Sequence, residues 1–265
     1  MQIPHRLFRS HGRRFKTLVQ AGDFRKTVLR QELPKLCCAL VVGLTGSFIN
    51  CVAMAIVERD FTKRGIGSQG PEILYDWMFH HLPDASERFA TLPDTFVAVG
   101  ALSFLLRFIF PGRPMARWRL VKRMSLLTGI VYLCRGCMIF ITRLPNPHAY
   151  CIATDSNMFT GLLDFAWNIF KLRSRTCRDV MFSGHTAILT LMLHSLQDSF
   201  AESYTPFLIS VFACSHMSIF VILTWTRFHY SIDILTAWLL ASLFFYLYEA
   251  TTRRPKKHFL LWLDR

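Results

Sequence analysis

Hydrophobic residues lie in six long segments that are separated by polar and charged connections. The segments cover approximately residues 34–57, 94–110, 124–143, 180–197, 206–225 and 229–249. Each is close to the ~20 residues that an α-helix needs to cross ~30 Å of hydrocarbon. Because backbone polar groups in lipid must bond within their own segment, these segments are predicted to be helices. The sequence therefore predicts an all-α polytopic membrane protein with six transmembrane helices.

The composition excludes a soluble globule and an intrinsically disordered chain. Hydrophobic residues make up 52% of the 265 residues and charged residues only 18%, whereas a soluble domain carries about 25% charged residues. The aromatic content of 14% suits lipid-facing helices and interfacial belts.

Positive charge decides the predicted orientation. The net charge is +14, and 19 Lys and Arg residues lie on the side of the two termini against 10 on the opposite side. The positive-inside rule then places both termini in the cytosol. We expect a basic cytosolic tail at 1–33, a six-helix transmembrane catalytic domain at 34–249 and a basic cytosolic tail at 250–265. A mitochondrial presequence is the alternative interpretation of residues 1–33. No nucleic-acid-binding motif accompanies the charge, so nucleic acid is not an expected partner.

Six of the eight cysteines fall inside apolar segments, where a small apolar residue packs normally. Cys134 and Cys137 have the spacing of a redox pair, but their position in mid-membrane favours packing. Cys151 and Cys177 share the loop between the third and fourth segments. If that loop is lumenal, the sequence leaves a disulfide and two free thiols as equal alternatives.

Two short stretches concentrate the polar residues that can carry chemistry. Residues 177–186 read CRDVMFSGHT and open the fourth segment, and residues 227–233 read RFHYSID and open the sixth. The predicted topology brings both to the same, non-cytosolic face. On a helix, His229 and Asp233 share a face, so the carboxylate is expected to hold one imidazole nitrogen and leave the other as nucleophile or base. His185 would then supply the proton for a leaving oxygen.

A zinc site is the competing interpretation of two histidines and a carboxylate. It is the weaker one, because no third His or Cys stands nearby at ligand spacing. His80, His81, His194 and His216 are interpreted as structural. We therefore expect no metal and no other cofactor.

These motifs resemble those of the sphingomyelin synthase (sphingolipid synthase) family of the lipid phosphate phosphatase superfamily. The family pattern C-G-D-x-x-x-S-G-H-T followed by H-Y-[ST]-x-D is similar to CRDVMFSGHT and HYSID. Two further family motifs are present, Leu92-Pro93-Asp94 and a G-x-x-Y-x-x-R pattern ending in L-P-x-P. The latter consists of Gly129, Tyr132, Arg135 and residues 144–147. Arg178 departs from the usual Gly and puts the choice of headgroup in doubt.

The resemblance implies transfer of a phospho-headgroup from a glycerophospholipid to the primary hydroxyl of ceramide, with release of diacylglycerol. It assigns catalysis to His229 as nucleophile, Asp233 as its orienting carboxylate and His185 as acid and base. Direct transfer, with either histidine as the base on ceramide, is a second mechanism that the sequence leaves open. Substrate-binding positions are expected at Tyr132, Arg135, Asp179, Ser183, Arg227 and Tyr230.

Among these, Arg135 needs a partner because an Arg deep in a span is costly; the candidates are Asp179, Asp233 and the lipid phosphate. Phe228 and Tyr230 flank His229, and since neighbouring side chains on a helix diverge, only one of them can face the site. An aromatic face favours choline or ethanolamine over inositol as the headgroup.

Three other functions remain as alternatives. A lipid phosphate phosphatase is disfavoured, because Arg113-Pro114 and Arg254-Pro255, the only Arg-Pro pairs, lie on the cytosolic side. A non-catalytic scaffold is disfavoured by the complete set of site residues. An inositol phosphorylceramide synthase differs only in its donor. The expected partners are membrane lipids, a homo-oligomer is left open, and the expected location is the Golgi or plasma membrane with a lumenal or exoplasmic site.

Overall fold

A computed structural model describes residues 28–63, 73–109, 114–148, 151, 153–199 and 206–252. Within these ranges the chain is helical and contains no β-strand. After a π-helical turn at Val28–Glu32, the α-helices are α1 (Leu33–Lys63), α2 (Trp77–His81), α3 (Leu92–Ile109), α4 (Pro114–Ile141), α5 (Leu162–Phe170), α6 (Gly184–Ser199), α7 (Pro206–Trp225) and α8 (Ser231–Thr252). Most of the predicted tails, 1–27 and 253–265, lies outside the described residues.

A helix covers each of the six predicted apolar segments. Three are long and apolar enough to cross a membrane, at Arg30–Thr62, Trp118–Ile141 and Ser231–Thr252, and shorter apolar helices lie at Leu92–Leu106 and Ser210–Trp225. The predicted bounds are too short for α1 and α4, which continue as polar helical turns at 58–63 and 114–123. Hydropathy alone cannot locate those ends, because three charged side chains there, Glu58, Lys122 and Arg123, are buried and paired inside the fold.

The core forms around α6, which contacts α3, α4, α7 and α8. Its buried residues Ala187 and Leu191 pack with Leu127 of α4 and Ala241 of α8. Beside this core, α1 and α4 approach very closely. A Cβ on Gly46 would overlap the carbonyl oxygen of Gly129. Small residues at a helix crossing permit such an approach in membrane proteins.

Ion pairs join the helices at the end of the bundle that lies away from the predicted site. Lys122 of α4 contacts Glu32 at 2.7 Å. Its neighbour Arg123 contacts Asp198 of α6 at 2.8 Å and Glu249 of α8 at 2.5 Å. The last turns of α6 and α8 therefore meet the first half of α4 at one end, which leaves the first turns of α6 and α8 together at the other.

Candidate active site

The loop before α6 is tied to the end of α1 and, by a disulfide, to the connection that follows α4. Glu58 of α1 is buried, and its carboxylate accepts hydrogen bonds from the backbone N–H groups of Cys177, at 2.8 Å, and Arg178, at 3.2 Å. A disulfide joins Cys151 to Cys177, 5.9 Å apart at their Cα atoms. The guanidinium of Arg178 lies over the ring of Phe61 at 4.7 Å. Arg178, the residue that departs from the family pattern, therefore places its side chain against α1.

Arg135 of α4 also contacts the loop before α6. Its guanidinium donates to Asn50 Oδ1 at 3.0 Å, to the Phe182 carbonyl at 2.9 Å and to Asp179 Oδ2 at 2.8 Å. Burial by itself raises the pKa of the Asp179 carboxyl, but Arg135 and the Thr176 hydroxyl outweigh it and hold the pKa below its ordinary value. Of the three partners considered for Arg135, the structure provides Asp179.

The Ser-Gly-His stretch begins α6, and each of its first two residues has a structural role. The Ser183 hydroxyl accepts the backbone N–H of Thr186 at 3.2 Å, the geometry of an N-cap. A Cβ on Gly184 would lie 3.2 Å from Arg135 Nε, closer than ordinary van der Waals contact, so a larger residue here would require the guanidinium to shift by a few tenths of an ångström. Phe182, just before, has a left-handed backbone with φ 66°, a strained state that surrounding contacts must maintain. Ser183, predicted to bind substrate, is a helix cap that is fully buried.

His229 is buried and precedes α8 instead of lying on it. Its Nδ1 lies 2.9 Å from the carbonyl oxygen of Val180. Since a carbonyl can only accept, Nδ1 carries the proton and Nε2 has the free lone pair. Burial, with nearby His185 and Arg135, lowers the pKa of His229 and keeps the imidazole neutral. These are the properties of a nucleophile or a base.

The predicted pairing of His229 with Asp233 is wrong. The carboxylate of Asp233 accepts the backbone N–H of Tyr230 through Oδ2 at 3.1 Å, and its Oδ1 is buried with no hydrogen-bond partner among the described residues. The prediction assumed a continuous helix from 229 to 233, whereas the helix starts at Ser231. Asp233 therefore reaches back to the helix start as in a capping box. The backbone carbonyl of Val180 occupies the position beside His229 that was predicted for Asp233.

A different carboxylate pairs with the other histidine. His185 Nε2 lies 3.0 Å from Oδ1 of Asp94, at the start of α3. The ring centres of His185 and His229 are 6.2 Å apart, so the two predicted histidines do meet. The sequence indicated Asp94 only as part of the Leu-Pro-Asp motif. That motif could have pointed to a functional role for Asp94, but nothing in it indicated a histidine partner 91 residues away.

The residues that flank His229 hold the 73–82 segment, which connects to α3. Arg227 donates to the carbonyls of Phe79 at 2.7 Å and Leu82 at 3.0 Å, and its guanidinium lies 4.3 Å above the Phe79 ring. The Tyr230 hydroxyl accepts the backbone N–H of Leu74 at 3.2 Å. Arg227 and Tyr230 therefore anchor the 73–82 segment, and their substrate-binding roles stay predictions. Like Phe182, Arg227 is left-handed, with φ 55°.

Phe228 is the aromatic neighbour that faces the histidines. Its ring is perpendicular to those of His185, at 5.6 Å, and His148, at 5.2 Å. Burial lowers the pKa of His148, which favours its neutral form. His148 follows the L-P-x-P motif and was not predicted. Tyr132, three residues before Arg135 on α4, is half-buried, and the contacts of the described residues give it no defined part in the site.

The described residues contain no group of three or more His, Cys, Asp or Glu side chains arranged to hold a metal ion. What the arrangement offers instead is a neutral buried imidazole, His229, opposite an imidazole that a carboxylate supports, His185. Such a pair can divide nucleophilic attack and proton transfer between its two members.

Comparisons with known proteins show what this chain is similar to. Residues 176–250 match the model of the PAP2 superfamily C-terminal domain. The chain is 31% identical over 137 residues to sphingomyelin synthase-related 1 of Caenorhabditis elegans, covering 49% of this chain and 28% of that protein. It is 33% identical over 149 residues to human sphingomyelin synthase-related protein 1, covering 51% and 34%. A C. elegans protein provisionally named phosphatidylcholine:ceramide cholinephosphotransferase 3 is 27% identical over 146 residues, covering 51% and 42%.

The described residues form a helical protein with three helices that can cross a membrane, and its residues 176–250 resemble the PAP2 superfamily C-terminal domain. The predicted resemblance to the sphingomyelin synthase family is confirmed by these relatives. The matched region spans between about a quarter and two fifths of the length of these curated relatives.

Proposed function

We propose that this protein is a sphingolipid synthase. It transfers phosphocholine or phosphoethanolamine from a glycerophospholipid to the primary hydroxyl of ceramide and releases diacylglycerol. The observation that carries the proposal is the 6.2 Å separation of the His185 and His229 rings, with Asp94 behind the first and the Val180 carbonyl behind the second. The sphingomyelin synthase-related relatives supply the substrate class.

The first half-reaction is carried by His229. Its Nε2 lone pair attacks the donor phosphorus while the bond to the diacylglycerol oxygen breaks, and a phosphohistidine forms. The Val180 carbonyl fixes the tautomer that makes Nε2 available. His185 gives its proton to the departing oxygen, and the carboxylate of Asp94 stabilises the imidazolium from which that proton leaves.

The second half-reaction reverses the roles. His185 takes the proton of the ceramide hydroxyl as that oxygen attacks phosphorus, and the bond to His229 breaks. Because Asp94 engages Nε2 of His185, proton transfer occurs at Nδ1. His185 thus returns to its starting state after one cycle.

The proposed headgroup preference rests on Phe228. Its ring stands between His148 and His185, and an aromatic ring attracts a quaternary ammonium by roughly 0.5–2 kcal/mol. Inositol would require hydrogen-bonding side chains instead. We expect Phe228→Leu to lower the ratio of choline to inositol product, while Phe140→Leu, an exposed aromatic of α4, leaves the ratio unchanged.

The proposed topology follows the charge distribution. Six spans place residues 1–33 and 250–265 in the cytosol, and the histidines of the 34–249 domain at the lumenal or exoplasmic face, in the Golgi or the plasma membrane. The Cys151–Cys177 disulfide beside the site supports an oxidising compartment on that side.

The test is a headgroup-transfer assay. Purified protein in nanodiscs is incubated with fluorescent ceramide and, separately, with phosphatidylcholine, phosphatidylethanolamine or phosphatidylinositol, and the products are separated by chromatography. We expect a fluorescent phospho-headgroup product with the choline or ethanolamine donor. A product with phosphatidylinositol alone would make the protein an inositol phosphorylceramide synthase, and the absence of any product would contradict the proposal.

A further inference from the structure

A cavity of about 470 Å³ lies between the 73–82 segment and the first turns of α8. This volume falls within the ~300–1,000 Å³ of ordinary ligand pockets. The hydrophobic residues around it come from four parts of the chain and include Leu74, Trp77, Leu144, Phe220, Ile232 and Leu235. The sequence did not indicate it, because these positions are scattered over 162 residues of chain.

Three polar side chains at this cavity, those of Asp76, Tyr230 and Ser231, are already engaged by the protein. Asp76 Oδ1 accepts the Ser231 hydroxyl at 2.8 Å and the Met78 N–H at 2.9 Å, and Oδ2 accepts the Ser231 N–H at 2.6 Å. The Tyr230 hydroxyl binds the Leu74 N–H. The remaining lining is mostly hydrocarbon, with the exposed rings of Tyr75 and Trp77 beside it, and a largely apolar space offers water few hydrogen-bond partners.

The cavity opens along the surface of α8 and is lined by Tyr230 and Ser231, the two residues that follow the reacting histidine. Ile232 and Leu235 are 55% and 42% exposed on the outward face of a helix that can cross the membrane. On the inner side, Ser231 is two residues from His229, at most about 7 Å along the chain. A chain in this space can therefore belong to a lipid whose polar end is at His229.

We propose that this cavity binds one hydrocarbon chain of the lipid substrate while its headgroup is at the histidines, an inference that rests on the proposed function. The apolar walls match a methylene chain, and the opening along α8 allows entry from the bilayer. The hydrogen bonds between Asp76 and Ser231 hold the 73–82 segment, which forms one wall of the cavity, against the turn that carries His229. These bonds thereby align the bound hydrocarbon chain with the reacting atoms.

Filling the cavity tests this directly. Leu235→Trp adds a large ring at the wall, and Leu239→Trp is the matched control, because Leu239 lies one turn further along α8, is 51% exposed and does not line the cavity. kcat/KM is measured in nanodiscs for long-chain and six-carbon analogues, varying the ceramide N-acyl chain and the donor chains in separate series. In one series Leu235→Trp should lower the long-chain value about tenfold relative to the short-chain value, with less than about twofold change in the control. Equal losses for both lengths in both series would overturn the proposal.

A second measurement uses the unmodified protein and does not depend on turnover. Phosphatidylcholine and ceramide with a photoactivatable diazirine near the chain end are incorporated into nanodiscs, irradiated, and the cross-linked peptides mapped. Cross-links at 74–78 and 232–235 are expected. If these appear although no headgroup transfer is detected, the proposed reaction is wrong and the chain site stands. If transfer occurs and cross-links are confined to outward positions such as Leu239 and Leu243, the chain site is wrong.

Discussion

The carboxylate of Asp94 lies 3.0 Å from Nε2 of His185 and joins the first turn of α3 to the first turn of α6. In the proposed reaction, His185 gives and takes a proton during headgroup transfer. A carboxylate on one ring nitrogen sets which nitrogen faces the substrate and stabilises the protonated ring. This function had been expected of Asp233 toward His229, and the structure provides it at the other histidine.

Replacing Asp94 therefore tests the acid–base assignment. Asp94→Asn should lower kcat about 10²-fold, since the imidazolium loses its counter-charge, while KM for either lipid changes little. Glu87→Gln, an exposed carboxylate in the preceding connection, is the control and should leave kcat unchanged. A raised KM with normal kcat would show that Asp94 contacts substrate and does not act through His185.

Arg135→Lys separates a positioning role from phosphate binding. A lysine cannot reach Asn50, the Phe182 carbonyl and Asp179 together, so we expect destabilisation by about 2 kcal/mol in thermal unfolding together with loss of kcat. Arg119→Lys, an exposed position on the same helix, should change neither. Unchanged thermal stability with a raised KM for the donor would instead identify Arg135 as a phosphate ligand.

Asp233 offers a comparison between shape and charge. Asn at this position keeps an oxygen for the Tyr230 N–H, whereas Ala removes it and frees the turn next to His229. We expect Asp233→Ala to abolish transfer with the protein still inserted, and Asp233→Asn to retain activity within about threefold, because a capping contact needs an acceptor and no charge. If the two variants were equally inactive in the transfer assay, the charge of Asp233 would be acting on His229 after all.

The topology prediction is tested by glycan mapping. An acceptor site engineered into 153–175 should be glycosylated, because this connection lies on the side of the histidines, and one engineered into 111–123 should stay unmodified. Gel mobility before and after glycosidase treatment reads both outcomes. A tag at either terminus that reacts from outside intact cells would contradict the cytosolic placement.

Hydropathy and motif spacing predicted much of this architecture. Apolar runs located the six long helices of the described residues, and the predicted topology indicated that His185 and His229 would meet. A deep arginine indicated a carboxylate partner, which is Asp179. These features follow from periodicity and from the cost of burying charge.

What the sequence could not predict depends on where helices begin and on backbone groups. Because α8 starts at Ser231, His229 turns away from Asp233 and meets the Val180 carbonyl. A carbonyl has no sequence signature. The roles of Ser183, Arg227 and Tyr230 likewise depend on backbone partners, as a helix cap and as anchors of the 73–82 segment.

In the proposed reaction, His229 carries a headgroup from a glycerophospholipid to ceramide. The most direct measurement follows purified wild-type protein and His229→Gln with phosphatidylcholine labelled separately in its glycerol and its phosphate, with and without ceramide. For the wild type we predict equal amounts of diacylglycerol and labelled phosphoceramide product, dependent on ceramide, and for His229→Gln neither product. Release of phosphocholine or phosphate to water at the same rate without ceramide, or transfer by His229→Gln at a near-normal rate, would contradict the account.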